Sequence, residues 1–156
     1  TATDLAITYG DAPRLVRTIP TGVSTLIKAA VQNLSVQEDQ ARQFIVKFGL
    51  APDRLEGQVL HAVEATLDSY IAEITKSIKF FQTRYPNIPI NAMLLSGFAA
   101  IIPMLSDYLG SKTGIQAVAA NPWQGVHLSA TDQQQLAAVA SEFTIAVGLA
   151  KRSNRL

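Results

Sequence analysis

Between Leu60 and Phe81 the apolar residues Leu60, Val63, Leu67, Ile71, Ile74, Ile78 and Phe81 recur at steps of three or four, with neither proline nor glycine in the span. That spacing keeps them on one face of an α-helix, so the segment has to lie along a core that is itself several turns long. Asp53, three residues before Glu56, offers this helix a start, because a carboxylate there accepts orphan backbone N–H groups. Pro86 ends it.

The flanking segments can supply the core. Thr3, Leu5, Ile7 and Tyr9 share one side of an alternating segment, and Arg14 to Ile19 alternates likewise. The two read as strands joined through Gly10-Asp11-Ala12-Pro13. After Pro20-Thr21-Gly22, the residues Val23, Leu26, Ile27, Ala30 and Val31 line one side of a short helix ending near Asn33. Ser35 and Glu38 have the spacing of a capping box, which predicts a helix from about Val36 to Phe48 with Gly49 as its stop.

Ile90 to Ser96, bounded by Pro89 and Gly97, is the nearly continuous apolar run expected of a strand buried on both faces. Phe98 to Leu109 reads as a helix closed by Gly110, and Ile115 to Val118 as a short strand. Asn121-Pro122-Trp123 turns into a last helix whose buried face carries Leu136, Val139, Phe143 and Val147. A hairpin, later single strands and intervening helices predict an α/β fold, a mixed sheet flanked by helices. Residues 35–85 would form a small helical lobe inserted beside that sheet.

With 156 residues, 48% of them apolar, the chain can bury about two-thirds of its unfolded surface in one domain, without metal or disulfide support. Neither a repeat nor a long linker divides it. Lys+Arg 13 against Asp+Glu 12, with no basic block, argues against nucleic acid or an anionic membrane as the main partner. The absence of cysteine removes disulfides, thiolate metal sites and thiol nucleophiles together. No apolar run approaches the ~20 residues that span a bilayer, so direct membrane insertion is not expected. The opening Thr1-Ala2-Thr3-Asp4, without an initiator methionine, reads as the start of a fragment.

Isolated chemistry is sparse. His61 and His127 have no partner at ligand spacing, and Glu64 with Asp68 reads as a solvated helix face rather than an acid/base dyad. Walker loop, zinc-protease helix, nucleophile elbow and dinucleotide fingerprint are all missing, so nothing announces a catalytic residue or a metal site. The informative stretch is Leu94-Leu95-Ser96-Gly97-Phe98-Ala99-Ala100-Ile101-Ile102-Pro103-Met104-Leu105. A strand ending in Ser-Gly and followed by small residues lets backbone approach a planar or anionic ligand at the carboxyl end of a sheet. On spacing alone, a corner whose small residues serve only packing is the better account.

This run resembles the adenosine motif of the actin-like ATPase superfamily in its PilM and FtsA branch, which reads roughly Leu-Ser/Thr-Gly-Gly-Gly-Ala and then Pro-Gly-Leu. Thr1 to Ile7 is similar to the tail of the second phosphate motif, whose Asp-x-Gly would precede this chain. Ile19-Pro20-Thr21-Gly22 resembles the following Pro-x-Gly-Gly segment, and Gln40 to Gly49 sits where the family has its Ala-Glu-x-x-Lys helix. Phe80-Phe81, Asn121-Pro122-Trp123 and Gly148-Leu149-Ala150 keep the family's order, and Phe80-Phe81 with Asn121-Pro122 favours the PilM type.

The resemblance covers nearly the whole chain. It implies the second half, domain II, of an actin-like (ribonuclease H-like) fold, here residues 1–156, with the first half absent from the chain. It implies a cytoplasmic scaffold of type IV pilus assembly, held at the inner membrane through PilN-like proteins that dock on the missing half. In the intact protein it implies ATP with Mg, turned over slowly if at all. Thr1 and Thr3 would approach the phosphates, Gly22 would sit at the lobe junction, and Ser96, Gly97, Phe98 and Ala99 would line the adenosine face. Two departures mark that site as degenerate. Phe98 and Ala99 replace glycines, and Arg42 and Ile45 replace the helix's Glu and Lys. A nucleotide-free interaction module and an FtsA-like division protein stay open beside it, as does self-association.

Overall fold

The structure, a computed structural model, describes residues 2–10, 12–124, 126–137 and 139–151. Strands β1 (Thr3–Tyr9) and β2 (Ala12–Ile19) form an antiparallel hairpin. Its register runs from Thr3 opposite Ile19 to Ile7 opposite Leu15, then slips so that Thr8 faces Pro13. β2 therefore begins earlier than the expected Arg14, and the slip bends the ladder beside a proline that has no N–H to give it. Thr3, Leu5 and Ile7 lie on the less exposed side, as their alternation predicts, whereas Tyr9 is exposed.

Helix α1 (Val23–Leu34) follows the extended Gly22, whose N–H donates to the Thr25 hydroxyl at 3.4 Å while the Thr25 N–H donates back to the Gly22 carbonyl at 3.0 Å. Leu26, Ile27 and Ala30 are buried. Ser35 does not cap the next helix. It takes the left-handed conformation (φ 54°) that ends α1, and α2 (Glu38–Phe48) starts from Gln37 without a side-chain cap. Gly49 stops α2 as expected, its N–H donating to the Ile45 carbonyl at 3.0 Å.

The long helix is α3 (Gln58–Arg84), and it begins after a short 3-10 turn, Leu55–Gly57, rather than at Asp53. Val63, Leu67, Ile71, Ile74, Ile78 and Phe81 are buried along it, joined by Val59, Ala62 and Ser77, while Leu60 sits at the core's margin. Asn33 ties α1 to this helix, its amide donating to the Ala62 carbonyl at 2.6 Å. The hairpin is tied to it by Arg17, which donates to Glu73 Oε2 at 2.5 Å and to the buried Ser77 hydroxyl at 3.3 Å.

That tie should be visible in acid. The Glu73 carboxylate is held below its ordinary value of 4.5, first by the hydrogen bond from Lys76, which outweighs the desolvation opposing it, and then by the Lys76 and Arg17 charges. A depressed folded-state value means that the stabilisation is present above the unfolded value and is lost as pH falls through the folded one. Thermal unfolding followed from pH 6 to pH 3 should therefore show a smaller loss of midpoint for Glu73→Gln than for the native chain. Parallel curves would show that the carboxylate is not part of the tie.

Strands β3 (Met93–Leu95) and β4 (Ala117–Ala119) pair in parallel, and the described strands thus fall into two two-stranded sheets, one antiparallel and one parallel. The α/β class stands, but β3 is shorter than the expected Ile90–Ser96 and is not buried on both faces, since Leu94 is 69% exposed while Leu95 is buried. Nor does one helix run from Phe98 to Leu109. A 3-10 turn, Gly97–Ile101, is followed by Pro103, which forces Ile102 into an extended conformation (ψ 115°), and α4 (Leu105–Thr113) restarts beyond Met104. Gly110 lies within α4, and Gly114 (φ 72°) ends it.

The last expected helix divides into α5 (Ala130–Ala137) and α6 (Ala140–Ala150). Neither holds a fully buried residue among those described, so the face of Leu136, Val139, Phe143 and Val147 is partly covered rather than interior. Trp123 supplies part of the cover: its ring lies 5.9 Å from that of Phe143 and its indole N–H donates to the Leu136 carbonyl at 3.0 Å. Among the described residues, no helix is long and apolar enough to cross a membrane.

Candidate functional site

The Ser96-Gly97 corner leaves β3 at its carboxyl end, as its sequence suggests. Leu95 fixes the strand, its carbonyl accepting from Ala120 N–H at 2.7 Å. Ser96 is extended and exposed, and Gly97 turns the chain with a φ of 62° that side-chain-bearing residues rarely adopt. A Cβ placed on Gly97 would meet nothing within 4 Å, so the corner is an open ledge. Phe98 and Ala99 turn inward from it, half-buried against the core.

What occupies the ledge's inner side is a pair drawn from distant segments. The Arg42 guanidinium, on α2, lies over the Phe98 ring at 5.7 Å from its centroid, within cation–π range and worth about 0.5–1 kcal/mol at an exposed site. Both residues depart from the family pattern, and the fold places them face to face. Ile45, one helical turn further along α2, is 2% exposed and belongs to the core with Leu26 and Ile102. It offers no face to a ligand.

The remaining expected site residues gather at a second place. Thr3 opens β1, and its hydroxyl donates to the Thr21 carbonyl at 2.8 Å, directly before the buried Gly22. Thr3 also shares a hydrogen bond with Tyr70 of α3, whose hydroxyl is pushed above its ordinary range by burial, with the Thr3 bond acting in the opposite direction. Thr3 and Gly22 thus form one corner and Ser96 to Ala99 another, each with its own partners. Thr1 lies outside the described residues. Tyr70 was not legible as part of a site, because it stands on the long helix far from Thr3 in sequence.

The residues set aside as solvated stay so. His61 and His127 are exposed, with His61 Nδ1 3.7 Å from Glu64 Oε2. Asp68 accepts from the Tyr108 hydroxyl at 3.5 Å and faces Lys112 at 3.6 Å, so Glu64 and Asp68 serve different partners and form no dyad. Beside Asp68, burial pushes the Tyr108 hydroxyl up, and the Asp68 charge adds to it.

A parallel strand pair delivering a Ser-Gly corner beside packed helices, with a hairpin clamped to the longest of them, makes an α/β module. The family model of the type IV pilus assembly protein PilM matches residues 3–154, and the chain belongs to that family. The fold is similar to that of a chain in the solved structure of a PilM-PilN type IV pilus biogenesis complex, with a TM-score of 0.77 and 22% identity. That match covers 96% of this chain and 42% of the other, so the chain spans less than half the length of the relative. A comparison with curated proteins finds no match.

Proposed function

We propose that the chain is the second half of an actin-like, PilM-type scaffold of the type IV pilus assembly machinery, working in the cytoplasm against the inner membrane through a PilN-like partner. The observation that carries this reading is the family match over residues 3–154. It is supported by the likeness to a chain of a PilM-PilN complex. In the intact protein the open Gly97 ledge would take the adenosine side of ATP·Mg, with Ser96 at its rim and Thr3 toward the phosphates. Nucleotide held there would bias the angle between two halves, and partners would read that angle.

The fit is incomplete on the base side. Phe98 and Arg42 stack on one another where the family keeps glycines and polar helix residues, and Thr3 spends its hydroxyl on Thr21 and Tyr70. These contacts favour a second reading, an interaction module that keeps the fold and has lost the nucleotide. Calorimetric titration of ATP·Mg into the full-length protein separates the two. The first reading expects micromolar binding that Gly97→Val abolishes. A Cβ there meets nothing within 4 Å but is strained at φ 62°, so the variant's unfolding midpoint is compared with the native one before lost binding is read as a lost contact. No detectable heat with the native protein overturns the first reading and leaves the nucleotide-free scaffold.

A further inference from the structure

The parity of the β3–β4 ladder fixes which backbone groups of β4 are unpaired at its outer edge. Met93 N–H donates to the Gln116 carbonyl at 2.8 Å and Ala120 N–H to the Leu95 carbonyl at 2.7 Å. In a parallel pair each bonded residue of one strand spans two of the other, so Gln116, Val118 and Ala120 turn their backbone groups toward β3. Ala117 and Ala119 therefore turn theirs away from it, and among the described residues no backbone hydrogen bond is made there.

Beside this edge lies a groove of about 480 Å³ between β4 and α4, with Ser106, Asp107, Gly110 and Ser111 forming its helical wall. The walls are low because alanine, glycine and serine line them. β4 presents about 10 Å of strand at ~3.3 Å per residue, and an added strand would lie ~4.8 Å from it. Asp107 is the one ionised residue among those lining the groove. Lys112, the nearby cation of α4, is turned to the other side, where its ammonium faces Asp68 at 3.6 Å and lies 5.3 Å from the centre of the Tyr108 ring.

We propose that the outer edge of β4 and helix α4 form a slot for an extended, basic segment of a partner polypeptide, which adds to the sheet as a third strand. The free donors and acceptors of Ala117 and Ala119 select a strand as the occupant, since they match one peptide's ladder and no side-chain pattern. Asp107 selects a lysine or arginine on that strand. A second copy of this chain laid edge to edge would instead bring two Asp107 carboxylates to one seam. This inference stands on the ladder and the groove and does not depend on whether nucleotide binds.

The test uses the full-length protein and a defined probe, the capped peptide acetyl-Thr-Val-Lys-Val-Thr-amide, with a glutamate-for-lysine peptide as control. Amide hydrogen exchange should slow at Ala117 and Ala119 on adding the lysine peptide, and the glutamate peptide should bind several-fold more weakly. Ala119→Pro removes one outward donor and leaves the Ala120 bond to Leu95 in place, so it should weaken binding about threefold to tenfold. Asp107→Asn, an exposed change that leaves the backbone alone, should bring the two peptides to equal affinity. Exchange unchanged by millimolar peptide, or equal affinity of the native chain for both peptides, overturns the proposal. So does protection that rises with protein concentration alone and accompanies a dimer in sedimentation, because the edge then belongs to a second copy.

Discussion

Gly49→Ala should lower the thermal unfolding midpoint by roughly 10 °C, the equivalent of about 3 kcal/mol in a chain of this size. Two effects act together. Gly49 holds φ 54° with ψ −132°, a region in which a side chain is strained by about 1–3 kcal/mol. A Cβ built there also falls 2.3 Å from the Pro103 carbonyl oxygen and 2.7 Å from Pro103 Cδ. That carbonyl is the acceptor for Leu50 N–H at 3.0 Å, so the clash can be relieved only by opening the seam between the end of α2 and the turn before α4. Arg42 and Phe98 stand on the two sides of this seam, and their stack should loosen with it. Gly97→Ala is the control, because it has a similar φ of 62° and nothing within 4 Å of the new Cβ. It should lose about 1 kcal/mol, from the backbone alone. Differential scanning calorimetry on both variants measures the difference; equal losses would mean that Pro103 moves aside freely and that the seam is not a fixed joint.

The parts of this fold written in periodic patterns were legible in the sequence, and those set by competition between neighbours were not. The stripe from Val63 to Phe81 predicts its own burial because a helix repeats one geometry over many turns, and the hairpin alternation puts Thr3, Leu5 and Ile7 on its less exposed side. Ser35 fits two roles, a cap for the helix after it or a left-handed end for the helix before it, and the second wins. The break at Pro103 was signalled by the proline itself, whose ring constrains Ile102, but the apolar run around it masked the signal. Leu94 shows why a continuous apolar run is a weak guide: composition says that a residue tolerates burial, and its exposure depends on whether a second layer covers that face. In the candidate site, the Ser96 corner was singled out by its family resemblance, since spacing alone favours a corner that serves packing. The Arg42–Phe98 contact, the Thr3–Tyr70 hydrogen bond and the outward edge of β4 depend on tertiary approach, and no local pattern encodes them.

Leu67→Ala should be the most damaging simple truncation, with an expected loss of about 3–5 kcal/mol in urea unfolding. Leu67 is 0% exposed and lies in a core cluster that draws on several elements. With Leu26, Ile45, Gly49, Leu50 and Ile102 it surrounds a gap of about 10 Å³, at or below the size that admits one water. Neighbours that already leave a small void cannot close a larger one, so most of the space vacated by the leucine should remain as an empty cavity. A domain of this kind has about 5–15 kcal/mol of stability in total, so the loss would be a large part of the whole. Leu67→Met, close in volume, should stay within about 1.5 kcal/mol, and Leu94→Ala, at a site 69% exposed, within about 0.5 kcal/mol. A loss under about 1 kcal/mol for Leu67→Ala would mean that the core around α3 packs loosely enough to collapse on itself. In that case it could not hold Arg42 against Phe98 while the hairpin is fastened to α3 through Arg17. Because α3 joins the hairpin, α1 and α4 through Arg17, Asn33 and Asp68, damage at its centre should unfold all of them in one transition.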